Sequence, residues 1–282
     1  MELPLLCETR TIESRMSWPR NNCLILGAGR SGTSLTALLL ERAGYHVYRT
    51  AVPPDEGNPL GYFEDTEVIA ANEAILKSTY RSAQQRLRRA IRRKPDISST
   101  GAWLLDLDYR RLKDISLKPA LVQKFQGLFS HVPFAYKDPR FSFTLGAIKS
   151  LIPVNTVYIC VFRDPLQVVK STKKHALGSG IVLDDRYCFG LWDAHYRCIL
   201  EHHRQIAGQW LFISYQSLID GEGVGVNKLS RFLDVQLDYE LVKQELSRSS
   251  GEGIVPQYVS ELHEQLKALE MIQVESQPLE RA

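Results

Sequence analysis

The sequence predicts an α/β fold, a parallel β-sheet covered by helices on both faces. Three observations carry this prediction. The apolar runs at residues 23–26 and 155–162 are nearly continuous, so both faces of these strands are buried. Stretches of helical length separate such runs, the alternation that builds parallel sheets. The first run ends at a glycine turn that opens directly into an apolar helix.

In chain order, residues 1–20 read as a poorly patterned lead-in. Residues 23–26 form a buried strand closed by Gly27. Residues 34–43 form a helix apolar nearly all round, hence buried, and Gly44 ends it. Residues 46–48 suit a second short strand, and the Pro/Gly-rich stretch 51–62 a loop. A helix over about 66–76 is followed by a basic helix over 81–95. Residues 134–136 suit a strand, 145–151 a helix and 155–162 a β-branched buried strand. Helices over 166–175 and 187–207, a strand over 210–214, and helices over 229–233, 237–248 and 259–272 complete the chain. There is no internal repeat or linker. The expected division is a lead-in (1–20), one α/β domain (21–250) and a C-terminal helical extension (251–282).

The 282 residues are 44% hydrophobic and 24% charged, an ordinary globular composition. A net charge of +3 is too mild for a nucleic-acid partner but leaves room for a basic pocket. The five cysteines form no C-x-x-C pair and no metal spacing, which fits a reducing compartment. His202 and His203 are adjacent on a helix and point apart, so no metal is expected. Without a signal sequence or an apolar run of about 18 residues, the expected location is cytoplasmic, with no membrane span. Oligomeric state is not legible in the sequence.

The stretch "LGAGRSGTS" from Leu26 to Ser34 admits two spellings. Gly27, Gly29 and Gly32 make G-x-G-x-x-G, the dinucleotide pattern. Gly27 and Gly32 also frame G-x-x-x-x-G before Thr33 and Ser34, a phosphate loop without its lysine. Either way, unpaired N–H groups at a helix start attract an anion, and Arg30 adds a full charge. The dinucleotide spelling calls for an acidic residue about 20 positions on. Tyr48, Arg49 and Thr50 stand there instead, and Arg49 suits the 2′-phosphate of NADP, so an NADP-linked oxidoreductase stays open. An ATPase would need lysine where Thr33 stands. A turn with no ligand is the plain alternative.

Two further motifs, "YKDPRFS" (136–142) and "VFRDPLQVVKS" (161–171), each follow a predicted strand and precede a predicted helix. In a parallel sheet such loops gather at one edge, so Lys137, Arg140 and Arg163 should approach the first loop. Ser171 lies about two helical turns beyond Arg163. Spacing alone does not fix whether both reach one phosphate.

"GAGRSGTS", "GYFEDTEVI" (61–69), "KDPR", "FRDPLQVVKS" and "ISYQSLI" (213–219), in this order, resemble the sulfotransferases that use 3′-phosphoadenosine 5′-phosphosulfate (PAPS). The chain looks most like bacterial sulfotransferase-family proteins and resembles the tyrosylprotein branch at its motifs. The resemblance spans roughly residues 23–234. It implies a P-loop NTPase-like sheet and metal-free, in-line sulfuryl transfer to a hydroxyl or amine of a small-molecule or carbohydrate acceptor, releasing PAP. It implies that Gly29, Arg30, Ser31, Gly32, Thr33 and Ser34 hold the 5′-phosphosulfate. Arg163 and Ser171 match the family's 3′-phosphate pair, and Tyr215 a tyrosine near the nucleotide.

Lys137, with Arg30, would stabilise the leaving group. Cytosolic members place a histidine base just after that lysine, but Asp138, Pro139 and Arg140 follow here. The base is therefore sought at Glu64 or Asp65, with Glu64 preferred because Asp65 suits a helix cap. A non-catalytic nucleotide-binding member of the fold is the remaining alternative. The arginines between Arg81 and Arg93 suit a solvated helix face better than an acidic acceptor, and His175 reads as a surface histidine.

Overall fold

The expected apolar runs become four strands in the computed structural model, which describes residues 21–54, 58, 61–78, 112, 115–178, 180–243 and 253–275. The lead-in and the basic stretch 81–95 lie outside the described residues. Strands β1 (Asn22–Leu26), β2 (Ala135–Lys137), β3 (Thr156–Phe162) and β4 (Trp210–Ser214) form one parallel sheet of order β2-β1-β3-β4.

The helices are α1 (Thr33–Arg42), α2 (Thr66–Ser78), α3 (Pro119–Leu128), α4 (Phe141–Ile148), α5 (Pro165–Gly178) and α6 (Asp185–Gln205). After β4 come α7 (Tyr215–Leu218), α8 (Val224–Leu233), α9 (Glu240–Lys243) and α10 (Gln257–Glu275).

Alternation along each strand sends its side chains to two separate cores. Leu24, Tyr136, Cys160 and Phe212 face a cluster built with α2, α3, α4, α6 and α10. Cys23, Ile25, Ile159 and Ile213 face a second cluster built with α1 and α8. Both faces of the sheet are covered, as the uninterrupted apolar runs require. Helix α10 packs on β4 and α6, and its Val259, Leu262 and Leu266 are buried in the first of these cores. Trp192 and Trp210 are buried there too.

Some elements differ from the sequence expectation. Residues 46–48 make no strand; His46 forms a single parallel bridge to Phe134. Strand β2 is three residues long and offers little ladder to extend. Helix α4 begins at Phe141, earlier than expected, because Asp138 accepts the Arg140 N–H at 2.9 Å and turns the chain into the helix. The expected tail of that helix is a 3-10 turn at Lys149–Leu151. Helix α8 starts five residues early, after Gly223 in a left-handed conformation.

All four strands run the same way, so the loops after β1, β2, β3 and β4 share one edge. That edge is where open α/β sheets bind ligands.

Candidate active site

The loop after β1 is fixed by two glycines and a buried tyrosine. A Cβ on Gly27 (φ +147°) would lie 2.3 Å from the Val161 carbonyl oxygen of β3. One on Gly32 (φ +95°) would lie 2.5 Å from the Tyr215 ring. Gly29 has nothing within 4 Å of its would-be Cβ. The fold therefore requires the glycines that frame G-x-x-x-x-G and makes no steric demand at the middle one of G-x-G-x-x-G. Tyr196 of α6 lies beneath. Its hydroxyl is 3.0 Å from the Val161 carbonyl, 2.9 Å from Ser31 Oγ and 3.4 Å from the Ala28 amide nitrogen. A carbonyl only accepts, so the phenol proton goes to Val161 while Ser31 and Ala28 donate to the phenol oxygen. The Ser31 side chain thus faces the core, leaving its backbone for any ligand.

Arg30 takes a left-handed conformation (φ +68°), and its Nε donates to Ser171 Oγ at 3.1 Å. Arg163 Nη1 donates to the Arg30 carbonyl at 3.4 Å, and its guanidinium stands 4.4 Å over the Tyr215 ring. Burial draws the Arg163 pKa down, and Arg30 adds to this against the opposing effect of Tyr215. Arg30, Arg163, Ser171 and Tyr215 are therefore one cluster, and Arg30 touches both Arg163 and Ser171, the pair whose spacing left the question open. A small cavity of about 110 Å³ opens here, lined by Gly32, Thr33, Ser34, Arg163 and Tyr215 among others.

A larger cavity of about 540 Å³ shares Arg30, Thr33, Ser34 and Asn58 with the first. It also holds Glu64 and Lys137. The Lys137 ammonium donates to the Glu64 carboxylate and to the Tyr62 carbonyl, the latter at 2.8 Å. Ser34 Oγ donates to the same carbonyl at 3.2 Å. Residues 61–64 thereby cross the first loop, with Phe63 left-handed at φ +53°, a strained conformation of the kind found at functional sites.

Asp65 does not line either cavity. Its Oδ1 accepts the N–H groups of Glu67 (2.7 Å) and Val68 (3.1 Å), capping α2. Its Oδ2 accepts those of Arg49 (2.5 Å) and Thr50 (3.4 Å). Of the two candidate carboxylates, only Glu64 is brought to the cavity.

Behind Lys137 lies a buried polar chain. Asp138 accepts from Arg140 Nη1 at 3.0 Å and from Asn72 Nδ2 at 2.9 Å, and Thr144 Oγ1 donates to Asn72 at 2.7 Å. Arg140 Nη2 donates to Glu73 Oε1 at 3.2 Å. Burial works against the Arg140 charge, but Asp138, Glu64 and Glu73 outweigh it and raise its pKa. Glu73, Arg140, His175 and His195 all line the large cavity. His175, expected at the surface, is half-buried with its ring 6.4 Å from Tyr62. Glu73 lies one helical turn beyond Ile69 on α2, and both reach the cavity. That i, i+4 pairing is a sequence signal which could have found it. His195 and Tyr196 carry no such signal, for they sit inside a long amphipathic helix. Among the described residues no group of three or more His, Cys, Asp or Glu side chains gathers to hold a metal.

A family model described as "Sulfotransferase family" matches residues 23–239. Among solved structures, the sulfotransferase domain from the curacin biosynthetic pathway is 16% identical, with 88% of this chain and 97% of that chain covered and a TM-score of 0.49. The sulfotransferase domain of the Synechococcus PCC 7002 olefin synthase is 17% identical (94% and 90% covered, TM-score 0.41). Sulfotransferase STF9 from Mycobacterium avium is 16% identical (93% and 78% covered, TM-score 0.44). No curated protein matches the chain.

Proposed function

The chain belongs to the sulfotransferase family, and from that premise we propose that it moves a sulfuryl group from PAPS to a hydroxyl of a small acceptor. The observation that carries this reading is the clustering of Arg163 and Ser171 about Arg30, which also lines the cavity that holds Lys137 and Glu64. A donor with a 3′-phosphate and a 5′-phosphosulfate needs two anion sites flanking one loop. Backbone N–H groups from Gly29 to Ser34, with Arg30 and Thr33, take the 5′ end. Arg163 and Ser171 take the 3′-phosphate, and Tyr215 holds the Arg163 guanidinium in place.

Transfer is in line. The acceptor oxygen bonds to sulfur as the bond from sulfur to the 5′-phosphate oxygen breaks, and the acceptor proton passes to Glu64. The products are PAP and the sulfated acceptor. The Lys137 ammonium has three N–H donors. Glu64 and the Tyr62 carbonyl occupy two, and the third serves the departing phosphate oxygen. Its arrival weakens the hold of Lys137 on Glu64 and frees the carboxylate to act as base.

The NADP alternative is disfavoured by topology. In a dinucleotide fold the strand after the first helix lies beside β1, so that its tip reaches the ribose. Here β2, more than ninety residues downstream, takes that place, and Arg49 lines neither cavity. Calorimetry separates the readings. PAP should bind tightly and NADPH weakly; tight NADPH with weak PAP would overturn the proposal.

A further inference from the structure

Resting on the sulfuryl-transfer reading above, we infer that the acceptor is a small, uncharged, largely apolar alcohol or phenol that enters the 540 Å³ cavity whole. The donor's 5′ end takes the part of this cavity at Gly29, Arg30, Thr33 and Ser34, and the remainder suits a small molecule. Much of its wall is apolar, with Val52 and Pro53 from the loop before α2, Ile69 from α2, Val168 from α5, and Leu191 and Trp192 from α6, while Asn58, Thr172 and His175 are polar points within it.

The charged groups in the lining are largely matched. Glu64 is held by Lys137 and Glu73 by Arg140, with Asp138 behind Arg140. Arg30 belongs to the donor side through Ser171. His195 is kept neutral by burial, which draws its pKa down to about 3, and burial pushes the Cys188 thiol up to about 11. An anionic acceptor must break a carboxylate away from Lys137 or Arg140 and sit beside the negative donor. A cationic one must displace Lys137 or Arg140. Breaking a buried pair exposes an uncompensated charge, a large cost in either case. A saccharide would leave hydroxyls unpaired against Ile69, Val168 and Leu191, each having given up its hydrogen bonds to water. An uncharged molecule with one reacting hydroxyl meets none of these costs. The motif resemblance to the tyrosylprotein branch thus does not extend to an acidic peptide acceptor.

The test uses the full-length chain, first titrated with PAP and then, once saturated, with three phenols of nearly equal size. These are para-ethylphenol (neutral), tyramine (cationic) and para-hydroxyphenylacetate (anionic). The neutral phenol should bind at least roughly tenfold more tightly than either charged one. Ile69→Glu should lower that affinity by a similar factor while leaving PAP affinity unchanged. Ile69→Trp, which fills the same space without charge, should act likewise, and a thermal melt confirms that each variant is folded. Equal or tighter binding of a charged phenol, or preference for an acidic tyrosine peptide or an oligosaccharide, overturns the inference. PAP binding with no binding of the neutral phenol removes the inference alone. Failure of wild-type protein to bind PAP removes the donor reading and the inference together.

Discussion

Asp65 uses both carboxylate oxygens on the backbone N–H groups of Arg49, Thr50, Glu67 and Val68, whereas Glu64 faces the large cavity and Lys137. Substitution should separate these two tasks. Glu64→Gln should lower kcat by about 10²–10⁴-fold, the usual worth of a general base. Its PAP affinity should hold or rise, because the donor's phosphate no longer shares Lys137 with a carboxylate. Asp65→Asn should instead cost about 1–3 kcal/mol of stability, because the Asn oxygen still caps α2 but its amide nitrogen cannot accept from the N–H groups of Arg49 and Thr50. Its activity should track the folded fraction. Steady-state kinetics with urea melts on both variants decide this, and the reverse pattern would make Asp65 the base. The glycines teach the same residue-level lesson. Three are spelled in the sequence, yet only Gly27 and Gly32 stand where a side chain would strike Val161 or Tyr215. One-letter patterns cannot distinguish a glycine that the fold needs from one that it tolerates.

Helix α6 joins the loops after β1 and β3 and forms one wall of the 540 Å³ cavity. Tyr196 anchors the first loop to β3, and the indole of the neighbouring Trp192 turn donates to the Arg163 carbonyl at 3.3 Å. Between them in sequence, His195 is fully buried against Phe143, with ring centroids 4.5 Å apart. Burial, aided by Arg140, lowers its pKa from 6.5 to about 3, against a hydrogen bond to the Pro139 backbone. Unfolded chains therefore take up a proton at this residue below pH 6.5 that folded chains refuse until about pH 3. The stabilisation is complete above the unfolded pKa and declines as pH falls through this window. Urea denaturation should show wild type losing about 1 kcal/mol per pH unit across it beyond what His195→Gln loses. Parallel stability curves for the two proteins would mean that His195 is protonated in the fold. No periodicity in the sequence singles out His195 or Tyr196, since both read as core positions of an amphipathic helix.

At the scale of the whole molecule, the parallel sheet delivers four loop ends to one edge, and the candidate site is what those ends hold in common. Much of this was legible. The runs at β1, β3 and β4 are nearly continuous in apolar residues, so strand positions followed from burial on both faces. Lys137 and Arg163 stand at strand ends, and a parallel sheet brings such ends together wherever they fall in the chain. Short edge elements were less legible, as at His46, because pairing there depends on a neighbour only three residues long. The direct contact of Arg30 with Ser171 was hidden too, because it follows from the left-handed turn at Arg30 rather than from any spacing.

In the proposed reading, two anion sites at one loop together hold a nucleotide phosphorylated at both 3′ and 5′ positions. Calorimetry of wild type and Arg163→Ala with PAP and with adenosine 5′-monophosphate tests it most directly. Losing a charge-assisted contact should weaken PAP by at least roughly tenfold and leave adenosine 5′-monophosphate close to its wild-type affinity. Equal losses for both nucleotides would mean that Arg163 does not hold the 3′-phosphate.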